Sequence, residues 1–237
     1  MKKQDQALYE EIETGLYELR DPKNAAFLAK LTPDTDPERI LGIKTPVLRK
    51  FAADLKKNGN AQLFCLVTPH RWLDEDVIHA CLISGIKDST CMKELERFLP
   101  YAESWVVTDA IRPVYIRSHP QEAEPFLEEW LKSDHPYTVR TAVGLYMAYY
   151  LDRYFRMDQM ERIAALNTGH YYVHMGSAWY FATALAKQPD AALTVLKEHR
   201  LSPETHNRAI QKAIESYRVK DEMKALLRTM KRKEKSR

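Results

Sequence analysis

Glycine is scarce in this chain. Only 7 of the 237 residues are glycine, which is roughly 3% against the ~7% of an average protein. Glycine supplies the positive-φ positions of β-hairpins and of the loops that bind nucleotide phosphates. Its scarcity therefore argues against β-rich folds and against nucleotide-binding α/β folds.

Cysteines and long apolar runs are also few. Cys65, Cys81 and Cys91 are an odd number without a C-x-x-C pair, which argues against a disulfide framework and against a zinc site. Apolar residues surround Cys65 and Cys81, which favours core packing over a nucleophilic role. No apolar run approaches the ~18 residues of a membrane span, and the first residues do not resemble a signal peptide. We therefore expect a cytoplasmic protein without a membrane anchor, a metal or a cofactor.

Positive charge is concentrated at the end of the chain. The tail Lys231–Arg237 carries five basic residues and one acid, a net charge of +4. The total is +3, so residues 1–230 hold 31 basic against 32 acidic side chains, a net charge of −1. A nucleic-acid surface on this nearly neutral body requires segregation of charge onto one face. The tail itself is predicted to be solvated and disordered.

Apolar residues recur with a helical period along nearly the whole chain, and prolines or short polar segments separate the periodic stretches. Short connections make neighbouring helices antiparallel, and helix pairs of ~40 residues suit a HEAT-like or armadillo-like solenoid. The sequence therefore predicts an all-α helical-repeat fold with a concave basic groove, formed by a single domain over residues 1–230. A compact helical bundle stays open as the alternative. The predicted helices cover residues 8–19, 46–57, 74–85, 91–99, 104–117, 121–131, 136–150, 157–165, 171–187, 189–198, 203–217 and 221–230.

Three local signals refine this prediction. Thr45 followed by Pro46 indicates an N-cap and the first position of a helix, and Gly59 indicates its end. The segment Leu31–Pro46 contains three prolines and is predicted to be an ordered connector. Pro113 should bend or shorten its helix because it lacks a backbone donor.

One pair of residues stands out as a candidate site. On a helix, Trp105 and Asp109 are four residues apart and share a face. The indole face and the carboxylate both attract positive charge, so together they would cradle a cation. The alternative is a core tryptophan next to an aspartate in the first helical turn, where the helix dipole favours a carboxylate.

Two further positions could join this pair. Arg140 lies among apolar residues, and Trp179 follows the small residues Gly176, Ser177 and Ala178. A structural ion pair and core packing remain the alternatives for these two. The segment 207–218 places Arg208 and Lys212 opposite an apolar stripe, which suits phosphate contacts as well as a solvated face.

Several stretches, taken in order, resemble the AlkD-type DNA alkylation repair family of HEAT-like proteins. They include a Gly-x-x-Thr-Pro-x-x-Arg motif from Gly42 to Arg49 and a Trp-x-x-x-Asp motif from Trp105 to Asp109. The resemblance extends over roughly residues 21–220, and its remaining stretches are 130–134, 139–142, 173–179 and 208–210.

This resemblance implies a monofunctional DNA N-glycosylase that removes cationic N3- or N7-alkylated purines from duplex DNA without base flipping, as a monomer. Asp109 would stabilise the positive sugar and position the attacking water, and Trp105 and Trp179 would pack against the deoxyribose. Residues implied to contact DNA are Arg140, Lys44, Arg49, Arg208 and Lys212.

The chain also departs from the pattern of active relatives. Phe27 is the only rough counterpart of an aromatic residue on their N-terminal helix, and Ala182 occupies a position where a basic residue is expected. The connector Leu31–Pro46 is longer than in the best-known members. The alternative is therefore a non-catalytic DNA-binding or protein-scaffold member of the same family.

Overall fold

A computed structural model describes residues 3–233 of the chain, and within that range all regular secondary structure is helical. The predicted all-α class is therefore confirmed. Two short 3-10 turns accompany the α-helices, at Pro37–Arg39 and Leu99–Tyr101. The α-helices are α1 (Lys3–Glu18), α2 (Pro22–Leu31), α3 (Thr45–Lys57), α4 (Ala61–Leu66), α5 (Leu73–Ser84), α6 (Thr90–Phe98), α7 (Trp105–Ala110), α8 (Val114–Ser118), α9 (Pro120–Trp130), α10 (Pro136–Tyr149), α11 (Met157–Ala164), α12 (Tyr171–Lys187), α13 (Pro189–Lys197), α14 (Pro203–Glu215) and α15 (Asp221–Thr229).

The chain divides into two compact units between Tyr115 and Ile116. In the first unit, α5 packs against both α3 and α7, and it also contacts α4 and α6. In the second unit, α12 packs against both α10 and α14, while α9, α13 and α15 contact α10, α12 and α14 in turn. Within each unit, every second helix thus belongs to one row (α3, α5 and α7 in the first, α10, α12 and α14 in the second), which is the arrangement of helical repeats, as predicted. The division into a single domain stays a prediction.

Helix ends follow the local signals with one difference, at Thr45. Pro113 interrupts the stretch predicted as one helix over residues 104–117, which becomes α7 and α8 because proline cannot donate the backbone hydrogen bond. Gly59 follows α3 with a φ of +76°, as the glycine stop predicts. The prediction of Thr45 as an N-cap was wrong by one residue: Lys44 is the N-cap, without a side-chain cap bond, and Thr45 begins the helix.

Three consecutive acids at the start of α5 organise the first unit, and the sequence did not reveal their role. Asp74, Glu75 and Asp76 are all buried. Asp74 accepts hydrogen bonds from the backbone N–H groups of Leu41 and Ile43, each at 2.8 Å. Asp76 pairs with Arg39 at 3.0 Å. The connector Leu31–Pro46 is therefore ordered, as predicted, because α5 supplies acceptors for its backbone.

A chain of buried hydrogen bonds continues from Glu75. The Tyr9 hydroxyl donates to Glu75 Oε1 at 3.0 Å, so the hydrogen bond with His70 Nδ1 at 3.2 Å must come from a protonated Nδ1. In neutral His70 the other nitrogen is then an acceptor, and His79 Nδ1 donates to it at 2.8 Å. His79 Nε2 is consequently an unprotonated acceptor, and it has no hydrogen-bond partner. The network thus accommodates both imidazoles in their neutral form.

We expect acid to destabilise the first unit through these two histidines. Burial lowers the pKa of His70 to about 3 and that of His79 to about 2, below the ~6.5 of an exposed histidine. Below about pH 6.5 the two histidines are protonated in the unfolded chain but stay neutral in the folded chain. The free energy of unfolding therefore falls as the pH drops below about 6.5. The loss should reach about 2 kcal/mol for each histidine at pH 5.

Burial raises the pKa of Asp74, Glu75 and Asp76. Protonation of these three acids at low pH therefore increases the free energy of unfolding, opposite to the effect of the histidines. The measurement is therefore a comparison of urea unfolding at pH 7.5 and pH 5.0 in wild type and in His79→Phe. The decrease in unfolding free energy should be smaller in the variant by about 2 kcal/mol. His199→Asn, at an exposed site, is the control. Equal decreases in wild type and His79→Phe would contradict the prediction.

Candidate functional site

A cavity of about 400 Å³ opens in the first unit, within the size range of small-ligand sites. Four of the side chains predicted to be functional line it: Lys44, Arg49, Trp105 and Asp109. We call these four the cavity cluster. The other residues of the lining are Asn24, Leu28, Ile43, Thr45, Leu48, Leu73, Asp74, Val77, Val106 and Ala110.

Helix α7 presents one face to this cavity. Ser104 caps the helix by accepting a hydrogen bond from the Val106 N–H at 3.3 Å. Val107 and Thr108 then point into the core, with 0% and 2% of their surface exposed. Trp105 and Asp109 lie on the opposite side and are both half-buried, so the four-residue spacing does place them on one face.

The alternative explanation of this pair does not fit the helix. Asp109 is the fifth of six residues in α7, so it lies in the last turn, where the helix dipole disfavours a carboxylate. Trp105 borders the cavity rather than the core, and its Nε1–H donates to the Leu31 carbonyl at the end of α2, at 2.9 Å. The hydrogen bond fixes the indole ring at the cavity wall.

The two acids of the described lining differ in how accessible they are to a ligand. Asp74 is 4% exposed, and each of its carboxylate oxygens accepts a backbone N–H from the connector. Asp109 is half-buried, so solvent and a ligand in the cavity can reach it. Asp109 is thus the better placed of the two to act on a bound molecule.

Lys44 and Arg49 bring positive charge to the same cavity. Both side chains are exposed, Lys44 at the N-terminus of α3 and Arg49 one turn later. The Arg49 guanidinium also interacts with Cys81. Burial nevertheless raises the pKa of the Cys81 thiol, and it raises the pKa of Cys65 and Cys91 to about 12. None of the three is suited to nucleophilic chemistry at neutral pH.

The second unit holds the other four predicted residues: Arg140, Trp179, Arg208 and Lys212. We call them the cationic cluster. The Lys212 ammonium lies 4.8 Å from the centroid of the Trp179 ring, a cation–π distance. Burial lowers the pKa of Lys212; the nearby Glu215 carboxylate opposes this shift, and the charges of Arg140 and Arg208 add to it. Three cations therefore lie within electrostatic reach of one another.

Aromatic rings in this cluster are open to solvent. Trp179 is 42% exposed and Tyr171 is 51% exposed, so the core-packing alternative for Trp179 does not hold. The Arg208 guanidinium lies 4.8 Å from the centroid of the Tyr171 ring. Exposed aromatic faces next to cations suit a ligand that combines flat apolar surface with negative charge, as nucleotides do.

Arg140 is the most enclosed of the eight residues, with 6% of its surface exposed. Its Nη1 donates to the Tyr172 carbonyl on α12 at 2.7 Å. The side chain also packs against α12 at Gly176, where a Cβ would lie 3.4 Å from that Nη1, an ordinary van der Waals distance. Of the small residues before Trp179, Gly176 is therefore the one that contacts the Arg140 side chain.

Two of the positions at which the sequence departs from active relatives are Phe27 and Ala182, and both lie on described helices. Phe27 lies on α2 and is 58% exposed, on the helix whose Asn24 and Leu28 line the cavity. Ala182 is 8% exposed on α12, so a longer side chain there would have to displace its neighbours or extend past them.

His170 and His174 are four residues apart, a spacing that can bind a metal ion. In the structure the His170 side chain accepts from the Tyr172 N–H at the start of α12. His174 Nδ1 pairs with the Thr205 hydroxyl at 2.9 Å. Over residues 3–233, no group of three histidine, cysteine or acidic side chains is arranged to hold a metal ion.

Among the helices described, none is both long and apolar enough to cross a bilayer. A search of curated proteins finds no match. The family model described as DNA alkylation repair enzyme matches residues 12–216, a range that includes all eight predicted site residues. The chain therefore belongs to the DNA alkylation repair enzyme family.

Proposed function

We propose that this protein is a monofunctional DNA N-glycosylase that releases cationic N3- and N7-alkylated purines from duplex DNA. The observation that carries the proposal is the half-buried Asp109 beside Trp105 in a cavity that Lys44 and Arg49 also line. Membership of the DNA alkylation repair family supports the choice of DNA as substrate. The proposal assumes a cytoplasmic monomer that needs no metal and no cofactor.

The chemistry suits these residues. An alkylated purine already carries positive charge and leaves without strong general-acid assistance. As the bond from the base nitrogen to C1′ breaks, the deoxyribose gains oxocarbenium character, which a fixed carboxylate stabilises. Asp109 would supply that carboxylate and orient the water that attacks C1′. Trp105 and Trp179 would pack against the sugar.

Binding to the DNA backbone would come from the cations of both clusters. Lys44, Arg49, Arg208 and Lys212 would contact phosphates and position the duplex without reading its sequence. Arg140 would act mainly through its electrostatic field, because little of its surface is open to solvent. Since these groups act on the sugar and the phosphates, the base would not need to leave the stack, unlike in base-flipping glycosylases.

The decisive experiment is base release by the wild-type protein. Methylated duplex DNA is incubated with purified protein, and free 7-methylguanine and 3-methyladenine are measured by chromatography with mass detection. We expect release well above the uncatalysed rate, since a carboxylate at C1′ lowers the barrier to bond cleavage. Release that does not exceed the rate without protein would refute the proposed activity.

A second candidate function is non-catalytic binding of duplex DNA. The burial of Arg140 and the alanine at position 182 favour it, because both reduce the contacts available to a phosphate near Trp179. This candidate predicts duplex binding that weakens steeply with salt, without base release. Binding that is indifferent to salt would point instead to a protein partner.

A further inference from the structure

A short basic segment follows the last helix and lies along α14. It comprises Lys231, Arg232 and Lys233, and we call it the basic segment. His206 Nε2 donates to the Met230 carbonyl just before it, at 2.9 Å. The Asn207 side chain binds the Arg232 backbone twice: its Nδ2 donates to the carbonyl and its Oδ1 accepts the N–H, each at 2.8 Å.

Two side chains of the segment add to this attachment. The Lys231 ammonium donates to Gln211 Oε1 at 2.7 Å, one helical turn beyond Asn207. The Arg232 guanidinium donates to the Leu201 carbonyl at 3.3 Å. The sequence predicted disorder for the tail Lys231–Arg237; the residues described as far as 233 have this defined position, and residues 234–237 lie outside the described range.

The attachment holds the backbone and leaves charge exposed. A paired amide hydrogen bond of the Asn207 type depends on the backbone alone, not on the identity of the side chains in the segment. Arg232 is half-buried, whereas Lys231 and Lys233 are exposed. This alternation is typical of an extended segment with one side against the protein.

The basic segment lies on α14 next to two residues of the cationic cluster. Asn207 and Gln211 each precede a cation of the cluster by one residue, Arg208 and Lys212 respectively. Each pair has the four-residue spacing of one helix face, so the two pairs form adjacent rows on the surface of α14. The contacts with Asn207 and Gln211 thus bring the backbone of the segment and the Lys231 ammonium next to the row of α14 that carries Arg208 and Lys212. Gathering cations raises their mutual repulsion, which a polyanion bound there would relieve.

We propose that the basic segment is a phosphate-binding extension of the cationic cluster, held ready for duplex DNA by Asn207. The inference rests on the proposed function in one respect, namely that the chain binds duplex DNA. It adds Lys231 and Lys233 as phosphate contacts and Asn207 as the residue that positions them.

The test is the salt dependence of duplex binding, measured by fluorescence anisotropy with a labelled unmodified duplex. The slope of log affinity against log salt concentration should decrease by about 0.9 for each phosphate contact that is lost. The double variant Lys231→Ala/Lys233→Ala should therefore reduce the slope by about 1.8. Lys197→Ala removes one exposed lysine from α13, outside the cluster, and should leave the slope unchanged.

A second variant separates position from charge. Asn207→Ala retains every cation but removes both hydrogen bonds to Arg232, so duplex affinity should fall several-fold at a fixed salt concentration. Circular dichroism establishes that each variant keeps its helical content, and the double variant at exposed lysines tests the proposal should Asn207→Ala fail to fold.

The outcomes distinguish the two proposals. If wild type binds duplex DNA with a steep salt dependence and the double variant has the same slope, the basic segment is not a phosphate site, and the proposed function is untouched. If wild type shows no salt-dependent duplex binding, the proposed function is refuted, and the inference about the basic segment is refuted with it.

Discussion

Replacing Asp109 by asparagine should reduce base release by at least a factor of about 10² to 10³, which is the usual effect of removing one electrostatic stabiliser of a transition state. The amide has nearly the shape of the carboxylate, so Trp105 and the cavity wall keep their positions. What disappears is the negative charge beside the deoxyribose at the moment when C1′ becomes positive. Duplex affinity should not decrease, because a carboxylate repels phosphate.

Single-turnover rates with protein in excess are the appropriate measurement, since they separate cleavage from product release. Asp54→Asn is the matched control: it removes one exposed carboxylate from α3, outside the cavity lining, and should retain the wild-type rate. An Asp109→Asn rate close to that of wild type would exclude Asp109 from the chemistry, whatever the wild-type protein releases.

Most helices were predictable because each buries an apolar stripe of its own. Helix α2 was missed for the opposite reason: none of its residues is buried, so no apolar period marks it. A different signal was present, because the Asp21 side chain accepts hydrogen bonds from the N–H groups of Lys23 and Asn24, and Pro22 follows it. Helix α4 has six residues, too few for two turns of a periodic pattern.

The candidate site was predictable only where its residues are close in sequence. Trp105 and Asp109 share a face because helical geometry alone requires it. Arg140 was marked by its apolar neighbours, but its contact with the Tyr172 carbonyl depends on how α10 packs against α12. The two hydrogen bonds that Asp74 accepts come from residues more than thirty positions earlier. No local pattern reports such a contact.

Gly42 illustrates what a motif can conceal. The resemblance drew attention to the Gly-x-x-Thr-Pro-x-x-Arg stretch as part of a DNA-binding family, and Lys44 and Arg49 do line the cavity. The glycine itself has a structural task, because the connector passes directly over the start of α2. Asn24 Nδ2 donates to the Gly42 carbonyl at 2.7 Å, and the Asp21 N–H donates to the Leu41 carbonyl.

Replacing Gly42 by alanine should lower the free energy of unfolding by about 2–5 kcal/mol. Its φ of +77° costs an L-residue about 1–2 kcal/mol. A Cβ there would also lie 2.5 Å from the Asp21 carbonyl oxygen and 2.7 Å from Ala25 Cα. These are backbone atoms of α2 and cannot rotate away, so overpacking adds about 1–3 kcal/mol. Urea unfolding at neutral pH measures the sum.

Gly59→Ala separates the two contributions. Gly59 has nearly the same φ, +76°, but no atom lies within 4 Å of the position its Cβ would take. Its substitution should therefore cost only the conformational part, about 1–2 kcal/mol. Equal losses at the two positions would contradict the steric argument. A larger loss at Gly42, accompanied by weaker base release, would show that the motif acts by setting α2, and with it Asn24 and Leu28, against the cavity that contains Asp109.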